Sequence, residues 1–172
     1  GDPELRVTES RRVHAAPADA RETLDSMDPP ADDGDHYGQE IATWFHPPQT
    51  GEYTFWLSCS DACELWLSTE PGNPHAAQRI AFVESPTPPD TFDAQPGQRS
   101  APVRLEVTMP YFIYAVHKAA EGDDHLQVAF SFAQGPRQPL TGPSISLHPV
   151  GPRGGALRQV WRDVPGTEVS VL

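Results

Sequence analysis

The 172-residue chain carries 24 acidic against 12 basic side chains, a formal net charge of −12, and 37% of its residues are apolar. That charge repels nucleic acid and offers an anionic membrane no attraction, so cations are the natural partners. The length suits one domain with a real core, and no run approaches the roughly 18 apolar residues of a membrane-spanning helix, so no membrane insertion is expected.

Twenty prolines and thirteen glycines interrupt the chain every few positions. No apolar period is left that is long enough for a sizeable helix, and an all-β sandwich or barrel follows. The opening, GDPELRVTES, has no apolar signal core and reads as a soluble or already processed segment. Residues 1–23 are polar and are expected to be an irregular lead-in, with one strand or helical turn near 19–27. The run DPPADDGD follows at 28–35. Strand candidates come next, at 39–46, 52–58, 63–68, 78–84, 102–108, 111–118, 125–133 and 143–149. Turn-forming residues separate them, such as PPQTG at 47–51 and EGDD at 121–124, while 85–101 holds four prolines and is expected to be a surface loop.

The stretch GEYTFWLSCSDACELWLS at 51–68 carries the most information. Tyr53, Phe55 and Leu57 alternate with Thr54, Trp56 and Ser58, and Leu65 and Leu67 alternate with Glu64, Trp66 and Ser68, so both arms read as half-buried strands. In one extended strand Cys59 and Cys63 would lie roughly 13 Å apart. A disulfide needs about 7 Å or less. If the chain reverses through Ser60, Asp61 and Ala62, the two cysteines face each other across a hairpin neck and can bond; the alternative is two separate buried thiols. A bridge favours an oxidising compartment over the cytosol.

Three segments, HYGQEIATWFHPPQTGEYTFWLSCSDACELWLSTE at 36–70, SAPVRLEV at 100–107 and YFIYAVHKAAEGDDHLQVAFS at 111–131, resemble the protective-antigen (PA-fourteen) domain family. That family occurs in extracellular adhesins, glycosidases and glycosyltransferases. The resemblance implies an antiparallel β-sandwich with long irregular loops over 24–150, and an extracellular, cell-surface or secretory-lumen setting. It also implies binding of glycans or glycoproteins, in some members through Ca²⁺ held by two adjacent aspartates. In the matching loop here only Asp61 is acidic, with Ser60 and Ala62 beside it. A hydroxyl, a carbonyl or water would have to replace the second carboxylate among the six to eight oxygens Ca²⁺ takes. The later loop carries Ala119, Ala120 and Glu121 where relatives have glycines; Asp124 matches the family aspartate and Asp123 is extra.

The ligand-binding residues this implies are Ser60, Asp61, Trp66, Asp123, Asp124 and His125, with Asp61 and Asp124 as metal ligands. The plainer reading of each remains open: a turn aspartate for Asp61, a solvated turn for Asp123, a core position for at least one of Trp56 and Trp66. His117 and His125 flank the acidic loop and are expected to brace it. Two acidic clusters, Asp32, Asp33 and Asp35, and Glu121, Asp123 and Asp124, offer further oxygens for a hard cation, although acidic surfaces mostly keep a protein soluble.

Paired carboxylates can hydrolyse glycosides, but no GxSxG, HExxH, phosphate-loop or CxxC pattern is present, and no catalysis by this chain is expected. The alternative to a lectin is a structural spacer or protein-interaction module in a repeat array, its ligand site degenerate. The tail at 151–172, with ALRQVWRDVPGTEVSVL at 156–172, resembles the opening strand of the same family. It is read either as a truncated following repeat, the favoured alternative, or as an opening strand moved to the end. Neighbouring repeats would then be partners.

Overall fold

The computed structural model describes residues 17–31 and 34–164. Asp32, Asp33 and the end of the tail lie outside them. The described residues form eleven strands in chain order: β1 Ala20–Leu24, β2 Tyr37–Phe45, β3 Gly51–Cys59, β4 Ala62–Leu67, β5 Gln78–Val83, β6 Val103–Leu105, β7 Tyr111–Ala119, β8 Leu126–Phe132, β9 Gln138–Pro139, β10 Ile145–Ser146 and β11 Ala156–Trp161. All named pairings are antiparallel. The larger sheet runs β1-β11-β2-β7-β4-β5, with β10 also on β2, and the smaller runs β6-β3-β8-β9. The fold is thus an all-β antiparallel sandwich.

The period-two pattern decides what faces the interior. Ile41 and Phe45 of β2, Tyr53, Phe55 and Leu57 of β3, Leu65 and Leu67 of β4, Ile113 and Ala115 of β7, and Val128 and Phe130 of β8 form the core between the sheets. At its centre Phe45 meets Tyr53, Phe55 and Phe130 edge-on, at centroid distances of 5.6, 5.4 and 5.1 Å, the geometry that aromatic quadrupoles favour.

Two boundaries read from the sequence move. The lead-in placed at 1–23 includes most of β1, a strand paired with β11 along its whole length from Ala20↔Val160 to Leu24↔Ala156. Residues Ala156–Trp161 form a strand of this module's own sheet. They pair with β1 on one side and with Gly38 to Ala42 of β2 on the other, and all six are buried.

The expected hairpin at Cys59–Cys63 has a different geometry. The turn is there, but β3 pairs with β6 and β8 while β4 pairs with β5 and β7, so Ser60 and Asp61 carry the chain across from one sheet to the other. Asp61 takes the left-handed backbone conformation, φ +59°, which aspartate tolerates better than most residues. The Cys59–Cys63 disulfide closes this corner with its Cα atoms 6.4 Å apart and staples the two layers together.

Candidate functional site

Crossing between sheets at Ser60 and Asp61 aims these two residues in different directions. The Ser60 hydroxyl donates to Asp124 Oδ1 at 3.3 Å and accepts the His125 backbone N–H at 3.3 Å; the Ser60 N–H donates to the His125 carbonyl at 3.0 Å. The Asp61 carboxylate turns away and accepts the Ala120 N–H through Oδ2 at 2.8 Å. Both residues therefore tie the two loops together, Asp61 at the start of the later loop and Ser60 at its end, and only Ser60 reaches Asp124 and His125.

Beneath Ser60 lies a buried polar chain. His117 Nε2 lies 2.8 Å from the Ser60 carbonyl, which only accepts, so this nitrogen carries the proton. Nδ1 is then the acceptor for the Gln39 amide at 2.9 Å, and Gln39 Oε1 accepts from Arg158 Nε at 2.7 Å. Arg158 ends the chain on Glu22 at 2.6 Å. Desolvation lowers the His117 pKa to about 4, outweighing the backbone hydrogen bond at Ser60 that raises it. The imidazole is neutral at physiological pH and braces the corner as a fixed donor and acceptor.

A cleft of about 680 Å³ opens beside this corner, lined by Asp28, Pro29, Ala31, Ser60, Pro86, Thr87, Pro88, Pro89, Asp123, Asp124, His125, Leu126 and Gln127. Its chemistry is mixed: prolines give apolar walls, while three carboxylates, two hydroxyls, an imidazole and an amide supply hydrogen-bonding groups. Asp124 is buried and Asp123 exposed. His125 Nε2 lies 3.2 Å from the Ser58 hydroxyl, and desolvation lowers its pKa against the raising influence of Asp90. Asp28 accepts the Val128 N–H at 2.9 Å, and desolvation raises its pKa.

Of the residues expected from sequence, Ser60, Asp123, Asp124 and His125 line the cleft; Asp61 and Trp66 do not. Trp66 is excluded by strand alternation. Its neighbours Leu65 and Leu67 point into the core, which puts the indole on the outer face of the larger sheet. There it stacks on Tyr114 at 5.9 Å and 8° and donates to Glu64 at 3.0 Å. A Trp66→Ala variant is accordingly expected to leave the backbone amide signals of Ser60, Asp124 and His125 unmoved, and a shift of those signals would return the indole to the site.

Asp28 and the wall Pro86 to Pro89 were missed. The available signal was the proline run itself, since a loop that rigid makes a wall, but nothing local said which sheet it would cover. It folds onto β3: the Ser58 hydroxyl donates to the Pro88 carbonyl at 3.1 Å, and the Thr87 N–H to the Cys59 carbonyl at 2.9 Å.

Calcium can be tested against this donor set. Ca²⁺ takes six to eight oxygens, several from carboxylates. Asp61 and Asp124 each have an oxygen engaged by a protein donor, and among the described residues no three His, Cys, Asp or Glu side chains gather as a metal cluster would require. A fixed cation is already nearby. Lys118, fully buried and donating to the Ala119 carbonyl at 3.0 Å, has its pKa lowered by desolvation while Asp61 and Asp124 act to raise it. The residues present do not fit a calcium site.

No family model matches the chain. In sequence it is 34% identical over 100 residues to the mouse (Mus musculus) N-acetyl-beta-glucosaminyl-glycoprotein 4-beta-N-acetylgalactosaminyltransferase 1, a match over 55% of this chain and 10% of that protein. The chain therefore spans about a tenth of the length of that relative. In structure it is similar to a subtype-switched epithelial adhesin A domain of Candida glabrata solved with β-lactose, with TM-score 0.51 and 15% identity over 68% of this chain and 53% of that one. The A domain of epithelial adhesin 6 from the same organism, solved with Galβ1-3GlcNAc, follows at TM-score 0.48 and 15% identity over 71% of this chain and 55% of that one. A PA14 sugar-binding domain from an RTX adhesin is similar at 0.43 and 15% over 59% and 49%.

Proposed function

We propose that this chain is a carbohydrate-binding module that recognises glycan hydroxyls in the cleft beside Ser60, without calcium. The observation that carries the reading is the cleft itself: buried, pre-oriented Ser60 and Asp124 with His125 beside them, between rigid proline walls. Sugars need such a surface, because each ring presents hydroxyls that both donate and accept at its edge and C–H groups at its face. The likeness to sugar-binding A domains supports the fold, and the sugars in those complexes suggest galactosides as the first probe. The disulfide supports an oxidising, secreted or lumenal setting. Binding rather than catalysis is the reading, and a place beside other domains of a longer enzyme or adhesin is compatible with it.

The test is a titration with β-lactose, once with millimolar CaCl₂ and once with a chelator. Equal affinities are expected in both, together with a loss of about tenfold or more in Asp124→Asn, which replaces a charged acceptor oxygen with an N–H donor, and in Ser60→Ala, which removes the hydroxyl. An affinity abolished by the chelator would restore Asp61 and Asp124 as metal ligands. Unchanged affinity in both variants would move the site elsewhere, and no binding to any glycan would favour the spacer.

A further inference from the structure

The smaller sheet carries a second cluster that the cleft does not use. Trp56, half-buried on the outer face of β3, donates its indole N–H to Ser131 at 3.4 Å. Two guanidinium groups lie over it: Arg99 Cζ is 5.1 Å from the ring centroid and Arg137 Cζ is 4.9 Å. Arg137 also lies 5.1 Å from the Phe92 ring. Three distant segments assemble the group: β3, the proline-rich loop, which reaches the strand through a bridge between Trp56 and Arg99, and the turn between β8 and β9.

The charge pattern is the informative part. In a chain of net charge −12, Arg79 pairs with Glu64 and Arg158 with Glu22. Arg99 and Arg137 are both exposed, and among the described residues neither makes an ion pair or a side-chain hydrogen bond. Their like charges repel, and the electron-rich face of the indole offsets part of that repulsion. A guanidinium held beside a ring can still offer its N–H groups to a planar, bidentate acceptor.

We propose that Trp56, Arg99 and Arg137 form a binding site for an oxyanion carried by an acidic glycan, a carboxylate or a sulfate ester. The site adjoins the cleft. Trp56 lies two residues from Ser58, about 7 Å along the strand, and the Ser58 hydroxyl contacts His125 in the cleft wall. A single extended saccharide can therefore set neutral hydroxyls beside Ser60 and its acidic group on the arginines. The linkage to the cleft rests on the function proposed above; the anion site itself does not.

The experiment follows the Trp56 indole resonance in ¹H–¹⁵N spectra at low salt while lactose, sulfated lactose, sialylated lactose and inorganic sulfate are added in turn. Sulfated or sialylated lactose is expected to bind about tenfold or more tighter than lactose and to shift the indole signal. The arm with the larger gain identifies the anion. Arg99→Gln/Arg137→Gln should remove that advantage while lactose affinity stays at wild-type level, and Arg99→Lys/Arg137→Lys should restore only part of it. An unchanged melting temperature checks that both variants fold. A preference that survives the glutamine variant, or the absence of any preference and any indole shift, overturns the proposal. If lactose fails to bind while sulfate alone still shifts the indole, the cleft reading falls and the anion site stands.

Discussion

A chain ended at Gly155 is expected to lose its cooperative unfolding transition. The removed segment includes β11, which is paired along both edges, so its loss leaves Gly38 to Ala42 of β2 unpaired on that side, with only β10 remaining there, and takes away the strand partner of all of β1. It also carries Leu157, Val160 and Trp161, each at most 6% exposed. Burying side chains of that size stabilises by roughly 1.5 to 3 kcal/mol each, so three of them reach about half or more of the 5 to 15 kcal/mol that holds a typical domain together. The Arg158 contact that ends the His117 chain goes with them. Calorimetry on the truncated and full chains decides the point. An unchanged transition would mean that residues 156–172 belong to a separate unit, as the repeat reading has it.

The second large effect is expected in acid. His117 is excluded from solvent and His46 is 8% exposed, and burial lowers the pKa of each to about 4. In the unfolded chain both titrate near the ordinary 6.5. Between pH 6.5 and 4 the unfolded state binds protons that the folded state refuses, so stability is fully present above pH 6.5 and declines as the pH falls toward 4. A fully realised shift corresponds to about 3 kcal/mol for His117. His46 contributes less, since some water reaches it. His125, also lowered, adds in the same direction. The melting temperature should be nearly flat from pH 8 to 6.5 and then drop by several degrees per pH unit. In His117→Gln the slope should become shallower. A flat profile in the wild type down to pH 4.5 would show that these imidazoles are hydrated in the folded state.

Much of the fold was legible, because sandwich strands carry their burial in a period of two. All eight strand candidates correspond to observed strands, among them β2 with its Ile41 and Phe45 and β7 with its Ile113 and Ala115. Pairing was not legible. Alternation says which side chains share a face, but it does not say which strands are neighbours, so Ser60 and Asp61 read as a hairpin tip although they join two sheets. β1 falls where one strand or helical turn was expected, near 19–27, and the residues there did not decide between the two. β1 is exposed along four of its five residues and has no apolar rhythm; it is held by backbone bonds to β11 and by Glu22 on Arg158.

Which side chains gather beside Ser60 was legible in part, and their direction was not. Ser60, Asp124 and His125 line the cleft because the turns that hold them meet at one end of the sandwich. The neighbouring Asp61 turns to the Ala120 amide instead, a choice set by its left-handed backbone. The arginines over Trp56 could not be found from sequence, since Arg99 and Arg137 are 38 positions apart in separate loops.

Whether Ser60, Asp124 and His125 present a preformed cleft for sugar hydroxyls is decided by backbone amide spectra of the chain with β-lactose in the presence of a chelator. The expected shifts saturate together and cluster at Ser60, Thr87, Asp124, His125 and Gln127. Shifts confined to residues outside the cleft, or none until calcium is added, would contradict this reading.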